Sequence, residues 1–177
     1  RRIYVVDFFA GCGGMSLGFA STRQSHQAFE VLLGIDIDER ALKTYSANID
    51  APTLCCDIRE IAKSPSILTV ALGGVDLAKL RPLVFIGCPP CQGFSAHRKK
   101  DKRDDPRNDL AIAFAKLCEK FRPDVVVMEN VKEILQGKFA KYFTKAVKVL
   151  ESADYALNTD VLDLSYFGVP QKRHRAV

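Results

Sequence analysis

The sequence contains no long apolar run, no internal repeat and no low-complexity segment. No stretch approaches the roughly 20 apolar residues of a transmembrane helix, so we expect no membrane association. A strong charge of either sign is also missing: the formal net charge is +5, which permits an anionic partner without requiring one. With 177 residues and 47% hydrophobic content, the chain can form one domain with a buried core.

The six cysteines lack the spacing of a zinc site or of a disulfide scaffold. Cys88 and Cys91 form a C-x-x-C pair, but a zinc site built from such pairs needs a second one. The other cysteines are not spaced as a ligand pair: Cys12, Cys55, Cys56 and Cys118. We therefore predict no metal site. Cysteines without a disulfide pattern suit a reducing compartment, so we expect a cytoplasmic protein.

Short apolar runs alternate along the chain with amphipathic segments. The apolar runs predict strands at residues 3–8, 30–35, 53–56, 83–86, 124–128 and 155–164. The amphipathic segments predict helices at residues 15–22, 39–48, 110–121 and 138–152. Residues 63–80 lack a regular pattern, and residues 88–106 form a long polar loop. Apolar strands that alternate with helices predict an α/β fold, with a mostly parallel sheet and helices on both faces.

Glycines and carboxylates cluster where the predicted strands end. Gly11, Gly13 and Gly14 follow the first strand, where glycines allow a tight turn and close approach to a ligand. Asp36 ends the second strand, a position from which a carboxylate commonly accepts ribose hydrogen bonds. Asp38 is predicted to cap the next helix, which leaves Asp36 free for this role. We expect a nucleotide-type cofactor, and these residues leave NAD and S-adenosyl-L-methionine (AdoMet) both open.

Cys91 lies in the most informative segment, IGCPPCQGFS at residues 86–95. Pro89 and Pro90 stiffen the backbone just before the cysteine, and glycine and small polar residues follow it. An open loop of this kind suits a nucleophile better than a structural cysteine. On local chemistry alone, a redox pair with Cys88 and an inert loop remain alternatives.

Four segments, in order along the chain, resemble the motifs of the cytosine-C5 DNA methyltransferases. They are DFFAGCGG at 7–14, GCPPCQGFS at 87–95, MENV at 128–131 and QKRHR at 171–175. The resemblance extends over residues 3–177. It implies a Rossmann-like class I AdoMet-dependent methyltransferase fold, AdoMet as cofactor, S-adenosyl-L-homocysteine (AdoHcy) as product and double-stranded DNA as substrate. It would place the protein at the nucleoid if the cell is bacterial or archaeal.

By motif position, the resemblance implies an AdoMet site of ten residues. They are Phe9, Gly11, Gly13, Gly14, Asp36, Ile37, Asp57, Ile58, Pro89 and Leu110. Asp36 would hold the ribose, Ile37 would pack on the adenine, and Asp57 would accept from the adenine amino group. Family members often carry glutamate and an aromatic residue where this chain has Asp36 and Ile37. Both replacements keep a carboxylate and an apolar face.

The resemblance also implies covalent catalysis, because C5 of cytosine is a poor nucleophile. Cys91 would add as a thiolate to C6 and so activate C5, and Glu129 would act as the acid near N3. Arg173 and Arg175 would lie at the active site, with Arg175 contacting cytosine O2. The target base lies inside a duplex and must be flipped out. Five residues are expected to contact the DNA: Gln92, Ser95, Arg98, Lys99 and Gln171.

The family continues beyond the QKRHR motif with a further strand, a target-recognition region and a final motif that completes the AdoMet site. This sequence stops at Val177, so we expect residues 1–177 to be a truncated catalytic domain, incomplete at the C-terminus. A second polypeptide or a further segment would supply recognition, and the chain alone would lack sequence-specific activity. Three alternatives remain: an inactive regulatory module, an RNA cytosine-C5 methyltransferase, and an NAD-dependent oxidoreductase, which would need a complete dinucleotide fingerprint.

Overall fold

The structure, a computed structural model, describes residues 2–24, 27–90, 107–137 and 140–177. Within these ranges, helices cover both faces of a main β-sheet, and a small second sheet includes the last strand of the chain. No helix in the described part of the chain has both the length and the apolar character needed to cross a bilayer. The predicted α/β architecture with a mostly parallel sheet is confirmed.

The main sheet has β1 at its centre, between β3 and β5. Its strands are β1 (Arg2–Phe8), β2 (Arg23–Gln24), β3 (Gln27–Asp36), β4 (Thr53–Cys55), β5 (Leu83–Gly87) and β6 (Val125–Met128). They lie in the order β2–β3–β1–β5–β6, and β4 pairs with the C-terminal part of β3. All pairings in this sheet are parallel except that of β2 with β3, so their carboxyl ends meet at one edge.

Successive residues of a strand point to opposite faces of the sheet, so both faces need a cover. In β1, Val6 and Phe8 pack on one face and Val5 packs on the other. The face of Val6 is covered by α3 (Ile58–Lys63), α4 (Ser66–Ala71), α5 (Leu110–Phe121) and α6 (Ala140–Ser152). The face of Val5 is covered by α1 (Gly14–Ser21) and α2 (Glu39–Asn48). The predicted placement of helices on both faces is therefore confirmed.

The prediction of a long sixth strand at residues 155–164 was wrong. In that segment the strand is β8 (Val161–Asp163), and it pairs antiparallel with β9 (His174–Ala176). Strand β9 also pairs antiparallel with β7 (Asn130–Val131), which completes the second sheet. The chain reverses between β8 and β9 through a 3₁₀ turn at Leu164–Phe167. A parallel neighbour needs a long crossover, so such a short connection gives an antiparallel pair.

The segment at residues 63–80 is more regular than predicted. It contains α4 and a 3₁₀ turn at Leu77–Lys79. Leu68 on α4 is fully buried in the core, and the Asp76 side chain caps the 3₁₀ turn by accepting from Ala78 N at 3.0 Å. A further 3₁₀ turn at Lys132–Leu135 follows β7. Residues 138–139, predicted to begin the last helix, lie outside the described residues, and α6 is described from Ala140.

Gly34 on β3 lies against the buried ring of Tyr45. A Cβ at position 34 would be 2.5 Å from Tyr45 Cζ, and the ring is fully buried. We expect Gly34→Ala to destabilise the protein by roughly 1–3 kcal/mol, the usual range for overpacking. The matched control is Gly18→Ala on α1, where no described atom lies within 4 Å of the added Cβ. This control should gain up to about 1 kcal/mol. Urea unfolding measures both, and equal stabilities would contradict the prediction.

Candidate cofactor and active site

A cavity of about 460 Å³ lies at the carboxyl ends of β1, β3, β4 and β5. Six of the residues predicted to bind the cofactor line it: Phe9, Asp36, Ile37, Asp57, Ile58 and Leu110. The volume is typical of sites for small molecules, and the position is the one at which open parallel sheets bind ligands. The structure thus brings side chains from distant parts of the sequence together at one cavity, whose wall combines apolar side chains with carboxylates.

The cavity wall also contains residues that the motifs did not assign to it. They are Ile35, Asp38, Cys56, Arg59, Cys88, Pro90 and Arg107. Arg59 had a signal in the sequence, because a basic residue two positions after Asp57 can reach that carboxylate. Arg107 lies in the turn that precedes α5, a position that no sequence pattern marks.

Asp36 is held by backbone N–H groups from two loops. Gly11 N donates to Asp36 Oδ2 at 2.8 Å, and Asp38 N donates to Oδ1 at 2.9 Å. Gly11 has a φ of +53°, a left-handed conformation that glycine adopts without strain. The Asp38 side chain accepts from Arg40 N at 2.9 Å, so its predicted role as a helix cap is confirmed. The Asp36 carboxylate has a fixed orientation and retains acceptor sites for a ligand.

Asp57 caps α3 and pairs with Arg59 at the same time. Its Oδ1 accepts from Arg59 N at 2.9 Å, and its Oδ2 lies 2.6 Å from Arg59 Nη2. The hydrogen bond from the Arg59 side chain is the main reason that the pKa of Asp57 lies below its ordinary value. Asp57 is therefore a carboxylate that shares its acceptor sites between Arg59 and any ligand.

The three predicted glycines are not among the described residues that line the cavity. Gly11 acts through its hydrogen bond to Asp36. Gly13, with a φ of +93°, packs on Tyr45, whose Cδ2 would be 3.0 Å from an added Cβ. Gly14 is the first residue of α1. These glycines shape the loop, and a direct contact with the cofactor remains a prediction for them.

The double proline of the Cys91 loop is braced by Asn130. The Asn130 Nδ2 donates to the Pro89 carbonyl at 3.1 Å, and Asn130 is buried. Pro89 was predicted to bind the cofactor, but it is not among the described residues that line the cavity. Its neighbour Pro90 does line the cavity. The MENV motif therefore positions the start of this loop.

Glu129 lies between an arginine and a thiol. Arg175 Nε is 2.9 Å from Glu129 Oε1, and these side chains are 17% and 24% exposed. The Glu129 carboxylate also acts on the Cys88 thiol and favours its protonated form. Burial, reinforced by the negative charge of Glu129, raises the pKa of Cys88 to about 12. Cys88 is thus a neutral thiol at neutral pH, in contact with both the cavity and Glu129.

The structure does not join every predicted active-site residue to this cluster. The Arg173 side chain is exposed, and its carbonyl accepts from Leu164 N at 2.9 Å. Gln171 is also exposed, in the turn before β9. The remaining predicted catalytic and DNA-contacting residues lie outside the described residues: Cys91, Gln92, Ser95, Arg98 and Lys99.

A buried carboxyl at Asp7 was not predicted to have a role. Asp7 is 1% exposed, and Ser16 Oγ donates to its Oδ2 at 2.6 Å. Ser16 Oγ also lies 2.8 Å from the Tyr45 hydroxyl. Burial raises the pKa of Asp7 to about 7, although the Ser16 hydrogen bonds act in the opposite direction. A carboxylate in an otherwise apolar strand was the available signal in the sequence.

Comparison with known protein families identifies the family of the chain. The model of the family described as C-5 cytosine-specific DNA methylase matches residues 3–177. The chain belongs to this family. Two relatives are Type II methyltransferases: M.HgiDI of Herpetosiphon aurantiacus, 35% identical over 170 residues, and M.HindV of Haemophilus influenzae, 34% identical over 170 residues. The alignments cover 96% of this chain but 49% and 50% of those proteins, so the chain spans about half the length of these curated relatives.

Solved structures share the fold. A structure described as that of a DNA modification methyltransferase encoded within an E. coli prophage has a TM-score of 0.79 at 30% identity, over 98% of this chain and 45% of that one. The fold alone is shared with Aeropyrum pernix fibrillarin, solved with natively bound AdoMet, which has a TM-score of 0.51 at 12% identity over 98% of this chain and 66% of that one. The predicted family and the class I methyltransferase fold are confirmed.

The raised pKa of Asp7 predicts how stability changes with pH. The folded protein holds this proton up to about pH 7, whereas an unfolded aspartate, with a pKa of 3.8, releases it earlier. Its contribution to stability therefore falls as pH rises from about 4 to 7 and is constant above that. Asp7→Asn should remove this term and gain on the order of 2 kcal/mol over wild type between pH 4.5 and pH 8.

Urea unfolding at several pH values measures this difference. Asp50→Asn, which removes an exposed carboxylate, is the matched control and should follow the wild-type profile. A parallel profile for Asp7→Asn and wild type would contradict the assignment of a protonated carboxyl at Asp7.

Proposed function

We propose that the protein transfers a methyl group from AdoMet to C5 of a flipped cytosine in double-stranded DNA, through a covalent Cys91 adduct at C6. One observation carries this proposal: the cavity and the Glu129–Arg175 pair meet at Cys88, three positions before Cys91. A methyl donor in the cavity and a cytosine beside Glu129 would therefore meet at the carboxyl end of β5. The family membership and the Type II methyltransferase relatives support the same reaction.

The cavity suits AdoMet by its chemistry. Asp36 offers a fixed carboxylate to ribose hydroxyls. Ile37 lines the cavity yet is 68% exposed, an apolar surface that an adenine ring would cover. Phe9 and Leu110 add further apolar wall. When bound, AdoMet supplies an electrophilic methyl group on a sulfonium, and AdoHcy is the product.

The side chains at Glu129, Cys88 and Arg175 suit a flipped cytosine. Addition of the Cys91 thiolate to C6 places negative charge on the ring. Glu129, after taking up a proton from solvent, would neutralise this charge by donating the proton to N3. Cys88 cannot readily take the nucleophile's place, because its proton is held by burial and by Glu129. Arg175 keeps donors beyond Nε for the cytosine O2, since a guanidinium has five N–H groups. After methyl transfer, the C5 proton is lost and the bond from Cys91 to C6 breaks.

Recognition of the DNA would involve more than residues 1–177. Lys172 and Arg173 are exposed next to β9 and suit contact with phosphates. The loop that carries Gln92, Ser95 and the basic residues Arg98 and Lys99 would approach the flipped base. Because the chain spans about half of its curated relatives, we propose that a further segment or a second polypeptide supplies sequence specificity.

Removal of the Asp36 charge should weaken AdoMet binding. We expect Asp36→Asn to raise the Kd for AdoMet by roughly 10- to 100-fold, because hydrogen bonds to a charged group contribute about 1.5–3 kcal/mol. Glu39→Gln is the matched control, since this exposed carboxylate lies three residues away on α2 and pairs with Lys43. Isothermal titration calorimetry measures both variants. An unchanged Kd for Asp36→Asn would argue against a ribose contact.

Covalent trapping tests the reaction itself. With AdoMet and duplex DNA that contains 5-fluorocytosine, the protein with its natural flanking sequence should form an adduct that survives denaturing electrophoresis. Fluorine at C5 cannot leave as a proton does, so the bond between the enzyme and C6 persists. Cys91→Ala should abolish the adduct, whereas Cys88→Ser should still form it at a reduced rate.

RNA of the same sequence with 5-fluorocytosine is the matched substrate control. An adduct with RNA and none with DNA would overturn the choice of substrate. An adduct that persists in Cys91→Ala would overturn the choice of nucleophile.

A further inference from the structure

The turn between β8 and β9 carries two exposed aromatic side chains. Tyr166 is 87% exposed and Phe167 is 68% exposed, whereas every other phenylalanine or tyrosine among the described side chains is at least partly buried. Val169, 37% exposed, extends this apolar surface. We call residues 164–169 the aromatic turn. Adjacent apolar side chains that protrude together beside polar residues are typical of an interaction surface.

The aromatic turn keeps its shape through its own hydrogen bonds. At its start, Ser165 N donates to Asp163 Oδ1 at 3.0 Å. At its end, Gly168 N donates to the Ser165 carbonyl at 3.3 Å, and Gly168 has a φ of +87°. Leu164 N donates to the Arg173 carbonyl at 2.9 Å, which ties the turn to the segment before β9. The two rings are thus presented on an ordered backbone, which lowers the entropy cost of binding a partner.

The aromatic turn lies beyond the carboxyl end of β6. Strand β9 runs antiparallel to β7, so the path from Ala176 back to His174 leads outward past this edge. Arg175 on β9 pairs with Glu129, and Arg173 lies two residues further out, roughly 7 Å away along an extended chain. Base pairs in duplex DNA are spaced by about 3.4 Å. The turn is therefore within a few base pairs of a base held by Glu129 and Arg175.

The chain around the aromatic turn is basic. Residues 164–174 include Lys172 and Arg173, both exposed, and no aspartate or glutamate. Just before the turn, the Asp163 side chain is 19% exposed and lies 3.6 Å from His174 Nε2. Exposed rings beside cations suit a nucleic acid, whose bases stack on the rings while its phosphates meet the cations. An apolar protein surface would use the rings alone, so the charge favours DNA as the partner.

We propose that Tyr166 and Phe167 stack on nucleotides of the substrate DNA next to the flipped cytosine, while Lys172 and Arg173 hold the adjoining phosphates. This inference rests on the proposed function, because a cytosine at Glu129 is what brings the DNA to this edge. Flipping a base removes its stacking on both neighbours. Aromatic side chains beside the gap replace part of that stacking, and they accept any base, since every base has a π face. The turn therefore strengthens DNA binding without selecting a sequence.

Binding of a mismatched duplex tests the contact with the rings. The probe is a fluorescein-labelled duplex with one mismatched cytosine, which flips more readily than a paired one. Fluorescence anisotropy measures its Kd for the protein with its natural flanking sequence, in the presence of AdoHcy. Tyr166→Ala combined with Phe167→Ala should raise the Kd roughly 5- to 100-fold, through the loss of a stacked base.

Two further variants act as controls for this measurement. Tyr166→Phe combined with Phe167→Tyr keeps both rings and should bind the duplex as wild type does. Val70→Ala removes apolar surface from α4 at a position that is 75% exposed, and it should leave the Kd unchanged. The variant without the two rings should also keep the wild-type midpoint of urea unfolding in the absence of DNA, because the rings contribute little to the folded core.

The dependence of binding on salt separates the rings from the cations. Each phosphate contact that is lost should reduce the slope of log K against log salt concentration by about 0.9. We expect Lys172→Ala and Arg173→Ala each to reduce this slope, and the variant without the two rings to keep the wild-type slope. Lys43→Ala is the matched control, since this exposed lysine on α2 pairs with Glu39, and it should keep the wild-type slope.

The outcomes separate this inference from the proposed function. A raised Kd with an unchanged salt slope and an unchanged urea midpoint supports the stacking role. If the variant without the two rings binds the duplex as wild type does, the stacking role is overturned, while the proposed function stands on the trapped adduct. If removal of the rings lowers the urea midpoint without DNA, the rings pack on protein and the inference is overturned as well. If the wild-type protein neither binds the duplex nor forms the adduct, both fail.

Discussion

The register of three parallel pairings determines where the candidate functional side chains lie. Phe8 pairs with Ile35 on one side and with Gly87 on the other, and Gly87 pairs with Met128. The residue that follows each of these paired positions therefore lies at the same edge of the sheet. These residues are Phe9, Asp36, Cys88 and Glu129. A slip of one residue would turn each side chain to the opposite face, so the buried apolar pattern that sets the register also aligns the site.

This edge of the sheet collects carboxyl groups, and the protein stabilises each by a different means. Asp36 accepts two backbone N–H groups, and Glu129 pairs with Arg175. Burial opposes the charge of Asp7 and raises its pKa to about 7. Burying a charge without a partner is costly, so these arrangements allow acidic groups to lie close together.

Local patterns predicted α1, α2, α5 and α6 and the ends of the main strands, but not the short helices α3 and α4. The predicted bounds of α2 and α5, 39–48 and 110–121, agree with the structure to the residue. In α2 the Asp38 cap marks the start, and in α5 the spacing of apolar residues from Leu110 to Phe121 marks both ends. Such signals lie within a few residues of one another, so the sequence alone can show them.

Features that depend on contacts between distant segments were not predictable in the same way. The pairing of β7 with β9 joins residues more than 40 positions apart. The raised pKa of Cys88 is due first to burial and then to the charge of Glu129, which lies 41 positions later. The hydrogen bonds that join Asp7, Ser16 and Tyr45 likewise need α1 and α2 packed on the same face of the sheet. Motif position predicted six of the residues that line the cavity, but not which groups near it hold protons.

Arg173 and Arg175 show how a local rule can fail at the boundary of an element. Motif position placed both arginines at the active site, and residues two apart on a strand would face the same way. Strand β9 begins at His174, however, so Arg173 precedes the strand and its carbonyl is tied to Leu164. Arg175 is held at two points, by Glu129 at Nε and by the His174 carbonyl at Nη1, 2.7 Å away. A guanidinium fixed in this way needs little further ordering to offer its remaining donors to a base, which makes Arg175 the better placed of the two.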